Sequence, residues 1–269
     1  MNCVFCGPVK NCAPYLKTVL NNIEKIGTLF DNYVIVIYYD HSTDCTLQIL
    51  KNYQKINPKL IFHINNEHVS MYRTHRIADG RNYCINELKN KYAEYPYFIM
   101  MDFDDPNCKN CNISVIEKAL KRDDWDALSF NTSPAYYDIW GLSIYPYCFS
   151  YNHFENNQLF YTIIQNYVTF RLNNLKNDSL LPCISSFNGF AIYKTNKFLN
   201  CLYDGKVNLS LIPSNYMAAH MKASKSKIVF KDYGHVKGKY EDCEHRAFHV
   251  EAINKNGARI RISPEIVFS

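Results

Sequence analysis

This sequence of 269 residues predicts an α/β fold with a mainly parallel central sheet flanked by helices. Three observations predict it. Short apolar runs rich in β-branched and aromatic residues alternate with stretches of helical period through the first half of the chain. Turn and cap residues stand where one kind of run gives way to the other. Finally, acidic residues close two of the apolar runs, at Asp40 and Asp102. The carboxyl ends of parallel strands are where such sheets bind their ligands.

The elements follow in order. "CVFCG", closed by Gly7-Pro8, reads as a buried strand. "APYLKTVLNNIEKIGTLF" sets Leu16, Val19, Leu20, Ile23 and Ile26 at helical spacing, with Pro14 suited to a first turn and Gly27 to an end. "NYVIVIYYD" is a central strand. The helix of "HSTDCTLQILKNYQKI" opens after the cap types Ser42, Thr43 and Asp44. "KLIFHIN" is a strand, "THRIADGRNYCINELKNKYAE" mostly helix, "YFIMMD" a strand, "ISVIEKALKR" a helix and "DALSFN" a strand. From about residue 134 the character changes. "PAYYDIWGLSIYPYCFSYNHF" is aromatic and irregular, suited to a cleft or to packing under a long loop. "SSFNGFAIYKT" reads as a turn into a strand, and "CEHRAFHVEAINKNGARIRISP" as a helix, Gly257 and a final strand. No linker splits the chain, so one domain spans 1–269.

Composition narrows the function. Apolar residues are 47% and charged residues 20%, ordinary for a globular protein. A net charge of +5 with scattered lysines argues against a nucleic-acid groove and suits anionic small molecules. Eleven cysteines, many inside apolar runs, suit buried thiols in a reducing compartment. Cys3/Cys6 and Cys108/Cys111 have C-x-x-C spacing, but lie too far apart in sequence for a compact zinc ribbon. No signal peptide or transmembrane run is evident, so a cytoplasmic location is expected; the sequons at Asn112, Asn131, Asn177 and Asn208 carry no weight without secretion.

In "FIMMDFDDPNCKN" the strand runs into Asp102, Asp104 and Asp105. Clustered carboxylates need a counter-charge. A hard divalent cation, with phosphate oxygens and water filling its shell, would supply one; a solvated acidic turn is the other reading. Pro106 biases Asp105 toward extended backbone and helps end the strand.

The neighbouring segments add a resemblance. "VIVIYYDHSTDCTLQIL" resembles the nucleotide-binding strand and turn of the GT-A glycosyltransferases, especially the family-2-like group, in which D-x-x-S-x-D-x-T follows an apolar strand. Asp40, Ser42, Asp44 and Thr46 match it. "CVFCGPVKNCAPYLKTVL" resembles the group's first strand and helix, with Pro8, Asn11 and Leu16 matching. "GRNYCIN" resembles its A-R-N segment with Gly80 in place of Ala, and "YFIMMDFDD" its metal-binding D-x-D. These four segments stand in the right order over roughly the first 130 residues.

The resemblance implies a Rossmann-like GT-A domain with a nucleotide-sugar-binding half, 1–133, and an acceptor-binding half, 134–269. It implies a hexosyltransferase that uses Mn2+ or Mg2+ and a nucleotide-diphosphate sugar, a UDP-sugar before GDP-mannose, with a glycan or glycoconjugate as acceptor. Pro8 and Asn11 would lie at the donor, and Asp40 would accept from the base. Arg81 would approach the sugar or diphosphate; Asp102 would touch ribose or the metal's water; Asp104 would bind the metal. Asn188 and Gly189 of "FNGFAIYK" would line the sugar pocket or form a simple turn. The group's E-D motif, a dozen residues before a Gly, gives Glu244 as general base, with His245 where Asp is usual and with Asp242 of "YED" as rival. His245 and His249 share a helix face, and either could be a further metal ligand; His235 is a weaker candidate. One base implies inversion; retention follows if neither carboxylate reaches the acceptor. A nucleotidyltransferase would show a Gly-rich phosphate loop, which "GPVKNCAP" is not. A non-catalytic glycan-binding protein on the same scaffold would have lost the acidic cluster.

Overall fold

The computed structural model describes residues 1–66, 70–176, 178–230 and 240–269; Asn177 and His235 lie outside the described residues. The elements are β1 (Asn2–Val9), α1 (Ala13–Gly27), β2 (Asn32–Tyr39), α2 (Thr46–Ile56), β3 (Leu60–Ile64), α3 (Arg73–Lys91), β4 (Tyr97–Met101), α4 (Ile113–Leu120) and β5 (Ala127–Asn131). After them come α5 (Asn157–Asn173), β6 (Leu181–Pro182), β7 (Phe190–Lys194), α6 (Ser214–Ser224), α7 (Glu244–Asn256) and β8 (Ile260–Ile266).

The strands form one sheet in the order β3-β2-β1-β4-β7-β5-β8-β6. β3, β2, β1 and β4 are parallel, as are β5 and β8, while β7 runs antiparallel between β4 and β5. β1 pairs with β2 on one side and β4 on the other, so the chain leaves the sheet in both directions from β1. That reversal opens a crevice beyond the strands' carboxyl ends. Because β7 is antiparallel, its first residues lie at that same edge.

Both faces of the sheet are covered, which is why its strands read as continuous apolar runs. Cys3 and Phe5 pack into one core with α1, α2 and α4; Val4 and Cys6 pack into another with α3 and α7. Cys3 and Cys6 therefore face opposite sides of the sheet and cannot chelate one ion together. All eleven thiols are unpaired. Among the described residues no helix is long and apolar enough to cross a membrane.

Three local details concern close packing of the elements, of which the first differs from expectation. β1 continues through Pro8 to Val9, because Pro8 lies beyond the last residue paired to β4. Gly27 ends α1 without a left-handed backbone; a Cβ there would meet the Tyr33 ring at 2.4 Å. Gly80 sits inside α3, where a Cβ would meet Tyr38 at 2.8 Å and Pro8 at 2.9 Å. The substitution of Gly for the usual Ala thus lets α3 lie directly on β1 and β2, bringing Arg81 to the sheet edge.

The second half adds satellite cores. Phe160, Ile164, Val168 and Leu172 of α5 line one stripe, and three of them pack with Tyr136, Leu142 and Ile144. Buried His220 of α6 accepts from the Phe149 N–H at 2.9 Å and stacks on Phe154. Burial first, and the Arg246 charge second, lower its pKa to about 4. The unfolded chain takes up this proton near pH 6.5 and the folded chain only near 4, so stability is full above 6.5 and falls as pH drops from 6.5 toward 4. The loss expected from this one group is roughly 3 kcal/mol. Urea unfolding at pH 4.5 and pH 7 checks it: His220→Asn, which keeps an acceptor for Phe149, should lose less stability between the two than the unsubstituted chain.

Candidate active site

Two loops are laced together at one end of the crevice. Three successive amides, of Asn11, Cys12 and Ala13, donate to Ser42 Oγ, Thr46 Oγ1 and Asp44 Oδ2, each at 3.0 Å. Asn11 Oδ1 in return accepts from the Thr43 N–H at 2.7 Å. The D-x-x-S-x-D-x-T pattern is therefore mostly a device that joins the β1 and β2 loops. Asn11, expected at the donor, holds this joint with a left-handed backbone (φ 50°) and lies outside the cavity lining. Asp40 does line the cavity. Its Oδ2 accepts from Lys10 Nζ at 2.9 Å and lies 3.5 Å from Arg76 Nε, while Oδ1 accepts from the His41 N–H.

The acidic stretch after β4 is braced from below. The Asp102 N–H donates to Gly189 O at 2.9 Å, and Asn107 Nδ2 donates to Asp102 O and Gly189 O, both at 2.7 Å. Gly7 makes the approach possible, since a Cβ there would lie 2.2 Å from Met101 O. Asp102 and Asp104 emerge into one cavity of about 280 Å³, shared with Pro8, Asp40, Arg81, Glu244 and His245.

Arg81 organises that cavity. It is 3% exposed. Its Nη2 donates to Asp102 Oδ1 at 2.9 Å, and its Nε lies 2.9 Å from Glu244 Oε1. The second contact is an ion pair too bent for a hydrogen bond, and Nη1 also has no hydrogen-bond partner among the described residues. The guanidinium lies over the Phe187 ring, 4.5 Å from its centre. Burial pushes the Glu244 carboxyl up, and Arg81 opposes the rise.

Asp104 has no ion pair among the described residues. Its side chain lines the open cavity and keeps solvent exposure there, while the cavity wall takes part of its water. Loss of water first, and the Asp102 charge second, push its carboxyl up to about 7, with Arg73 and Arg81 opposing. Among the described residues no three His, Cys, Asp or Glu side chains could hold a metal ion by themselves. The donor set nevertheless fits a hard divalent cation: two carboxylates that repel each other, beside space for phosphate oxygens and water. His245 stacks on Phe187 with ring centres 3.8 Å apart, and neither ring nitrogen has a hydrogen-bond partner among the described residues. Burial holds it neutral, which a metal ligand must be.

Two residues named from sequence are engaged elsewhere. His249 is fully buried; its Nδ1 lies 3.0 Å from Ser185 Oγ and its Nε2 3.0 Å from Tyr193 Oη, so neither nitrogen is left for a metal. Asp242 accepts from Arg246 Nε at 2.8 Å and from the Cys243 N–H, just ahead of α7 and outside the cavity lining. Arg246 in turn donates to Trp140 O at 2.6 Å, to Leu142 O at 3.2 Å and to Ser143 Oγ. Asn188 also lies outside this cavity. Its Oδ1 accepts from the amides of Tyr137 and Asp138, and its Nδ2 donates to Phe130 O. Gly189 bears the Asp102 and Asn107 contacts instead of sugar. Lys10, Arg73, Arg76 and Asp138, to which the sequence reading assigned no role, also line the cavity, together with Tyr137 and Trp140 of the aromatic stretch suited to a cleft and to stacking on sugar faces. Of the three basic residues, Lys10 stands between the matched Pro8 and Asn11, and Arg73 and Arg76 precede the G-R-N segment, which was the available signal.

Solved structures with a similar chain course include S. aureus TarS 1–349, at 16% identity and a TM-score of 0.48, covering 100% of this chain and 59% of that one. TarS 1–349 in complex with UDP-GlcNAc has 17% identity and a TM-score of 0.47, covering 100% and 57%. The mannosyltransferase PcManGT from Pyrobaculum calidifontis, in complex with GDP-Man and Mn2+, has 15% identity and a TM-score of 0.46, covering 99% and 55%. This chain thus spans less than two thirds of the length of each. No curated protein matches it by sequence. The sequence pattern of glycosyl transferase family 2 matches residues 5–190. That match runs from inside β1 to the first residue of β7 and takes in the laced loops, Arg81 and the acidic turn, so the chain belongs to glycosyl transferase family 2.

Proposed function

We propose that this glycosyltransferase moves a hexose from a nucleotide-diphosphate sugar, a UDP-sugar before GDP-mannose, to a hydroxyl of a glycan or glycoconjugate, with inversion. One observation carries the proposal: Arg81 contacts Asp102 and Glu244 at 2.9 Å each, joining the donor-side acids to the acceptor-side carboxylate across one cavity. Residues 1–133 then supply the donor site and 134–269 the acceptor side.

The roles follow from charge. Pro8 forms part of the cavity wall beside the nucleotide. Asp40, paired with Lys10 and Arg76, accepts from a ring N–H of the base. Asp104 and Asp102 would hold Mn2+ or Mg2+, with phosphate oxygens and water filling the rest of its shell. When bound, such an ion supplies Lewis-acid relief of the charge that builds on the leaving diphosphate. Arg81, through its unpartnered Nη1, and Arg73 add positive charge toward the same oxygens. Glu244 takes the proton of the attacking hydroxyl. Its burial makes it a stronger base than an exposed carboxylate, and Arg81 fixes its place.

The test is nucleotide release from UDP-glucose, UDP-galactose, UDP-N-acetylglucosamine and GDP-mannose, with and without Mn2+. Ion-dependent release of UDP from one of the UDP-sugars is expected. Release from none of the four donors overturns the proposal; so does pyrophosphate from a nucleoside triphosphate, which would indicate nucleotidyl transfer.

A further inference from the structure

The loop 137–140 projects a carboxylate and two aromatic rings into the cavity, and two separate buried side chains hold it there. Asn188 Oδ1 accepts from the Tyr137 N–H at 3.1 Å and from the Asp138 N–H at 2.8 Å. Arg246, 1% exposed and fixed by Asp242, grips the Trp140 carbonyl. Asn188 holds a left-handed backbone (φ 57°) to do this. The Asp138 carboxylate is placed as tightly. Its Oδ1 accepts from the Gly141 N–H at 2.9 Å, and a Cβ on Gly141 would lie 2.5 Å from Oδ2 and 3.2 Å from Cys243 Sγ. Asp138 makes no ion pair with any described residue, whereas Glu244 and Asp242 are each paired to an arginine.

We propose that loop 137–140 is the acceptor's sugar-binding subsite, with Asp138 accepting hydrogen bonds from the hydroxyls of an uncharged sugar ring and Tyr137 and Trp140 covering its faces. The chemistry favours that class. An ionised carboxylate only accepts hydrogen bonds, so it suits a ring bearing several O–H donors. Aromatic faces suit the C–H surface of the same ring. A phosphorylated acceptor would meet a carboxylate here, not a cation. Glu244, next to Cys243 at the start of α7, remains the base, so Asp138 governs affinity for the acceptor and not proton removal. This rests on the transferase reading above.

The chain contains two tryptophans, and Trp125 is fully buried in the sheet's other half while Trp140 lines the cavity. Tryptophan emission therefore reports on the subsite. The full chain with UDP and Mn2+ is titrated with the methyl glycosides of glucose, galactose, mannose and N-acetylglucosamine. At least one should change the emission saturably, and Trp140→Phe should abolish the change. Asp138→Ala and the near-isosteric Asp138→Asn should weaken that sugar roughly tenfold or more, the loss of a charged hydrogen bond, with UDP affinity within about twofold. The subsite is overturned if UDP binds but none of the four glycosides changes the emission. It is equally overturned if both Asp138 variants bind sugar as the unsubstituted chain does, or if UDP affinity falls in parallel. If UDP and Mn2+ fail to bind the unsubstituted chain, the transferase reading falls first and the subsite with it.

Discussion

Asp104→Asn is expected to lower Mn2+-dependent nucleotide release by roughly a thousandfold. The reason lies in the surroundings of the carboxylate. Among the described residues Asp104 lines the cavity with no arginine or lysine paired to it, so its charge is available to a cation. Asp102, its neighbour, is shared with Arg81. Replacing Asp104 by the amide keeps the shape and removes the charge. Single-turnover release with saturating donor measures the effect, and Mn2+ titration in the presence of UDP locates it. The binding curve for the ion should weaken while the melting temperature holds or rises, because removing one of two repelling carboxylates relieves the folded state.

Glu244→Gln and Asp242→Asn should separate cleanly. Glu244→Gln removes the acceptor of the proton and is expected to cut turnover by roughly a hundred- to ten-thousandfold, with UDP affinity little changed. Asp242→Asn breaks a buried pair with Arg246 and leaves that guanidinium uncompensated, an expected loss of about 3 kcal/mol in urea unfolding. Its effect on catalysis should appear chiefly as a raised KM for the acceptor, because Arg246 would loosen its hold on the Trp140 and Leu142 carbonyls. If Asp242→Asn stays folded and loses more turnover than Glu244→Gln, the two roles are reversed.

The first half of the fold was legible because each strand is buried on both faces and each helix on one. β1, β2 and β4 advertise themselves as apolar runs, and α1 shows its stripe. α5 carries a signal in the fourfold spacing of Phe160, Ile164, Val168 and Leu172, but apolar residues on its outer side, such as Phe170, blur the periodicity. α6 buries only His220 and so has no stripe to find. The antiparallel course of β7 cannot be read from "FAIYK", since strand direction is set by its neighbours. At the site, chemistry-bearing residue types were visible but their allegiances were not. Asn11, Asn188, Asp242 and His249 look like ligand contacts in sequence. Asn11, Asn188 and His249 are instead consumed by partners distant in the chain, 64 residues away for His249 and Ser185, and Asp242 by its near neighbours Cys243 and Arg246. Asp138 went unnoticed because a lone acid in an aromatic stretch has no motif around it.

The interlocking of the β1 and β2 loops has a consequence for anyone exchanging parts between related enzymes. Each backbone donor of 11–13 finds its acceptor in 42–46, and Asn11 answers from the other side. A graft that swaps only one of the two segments strands those donors beside the mouth of the cavity. A chimera with altered nucleotide preference must carry both segments as a single cassette.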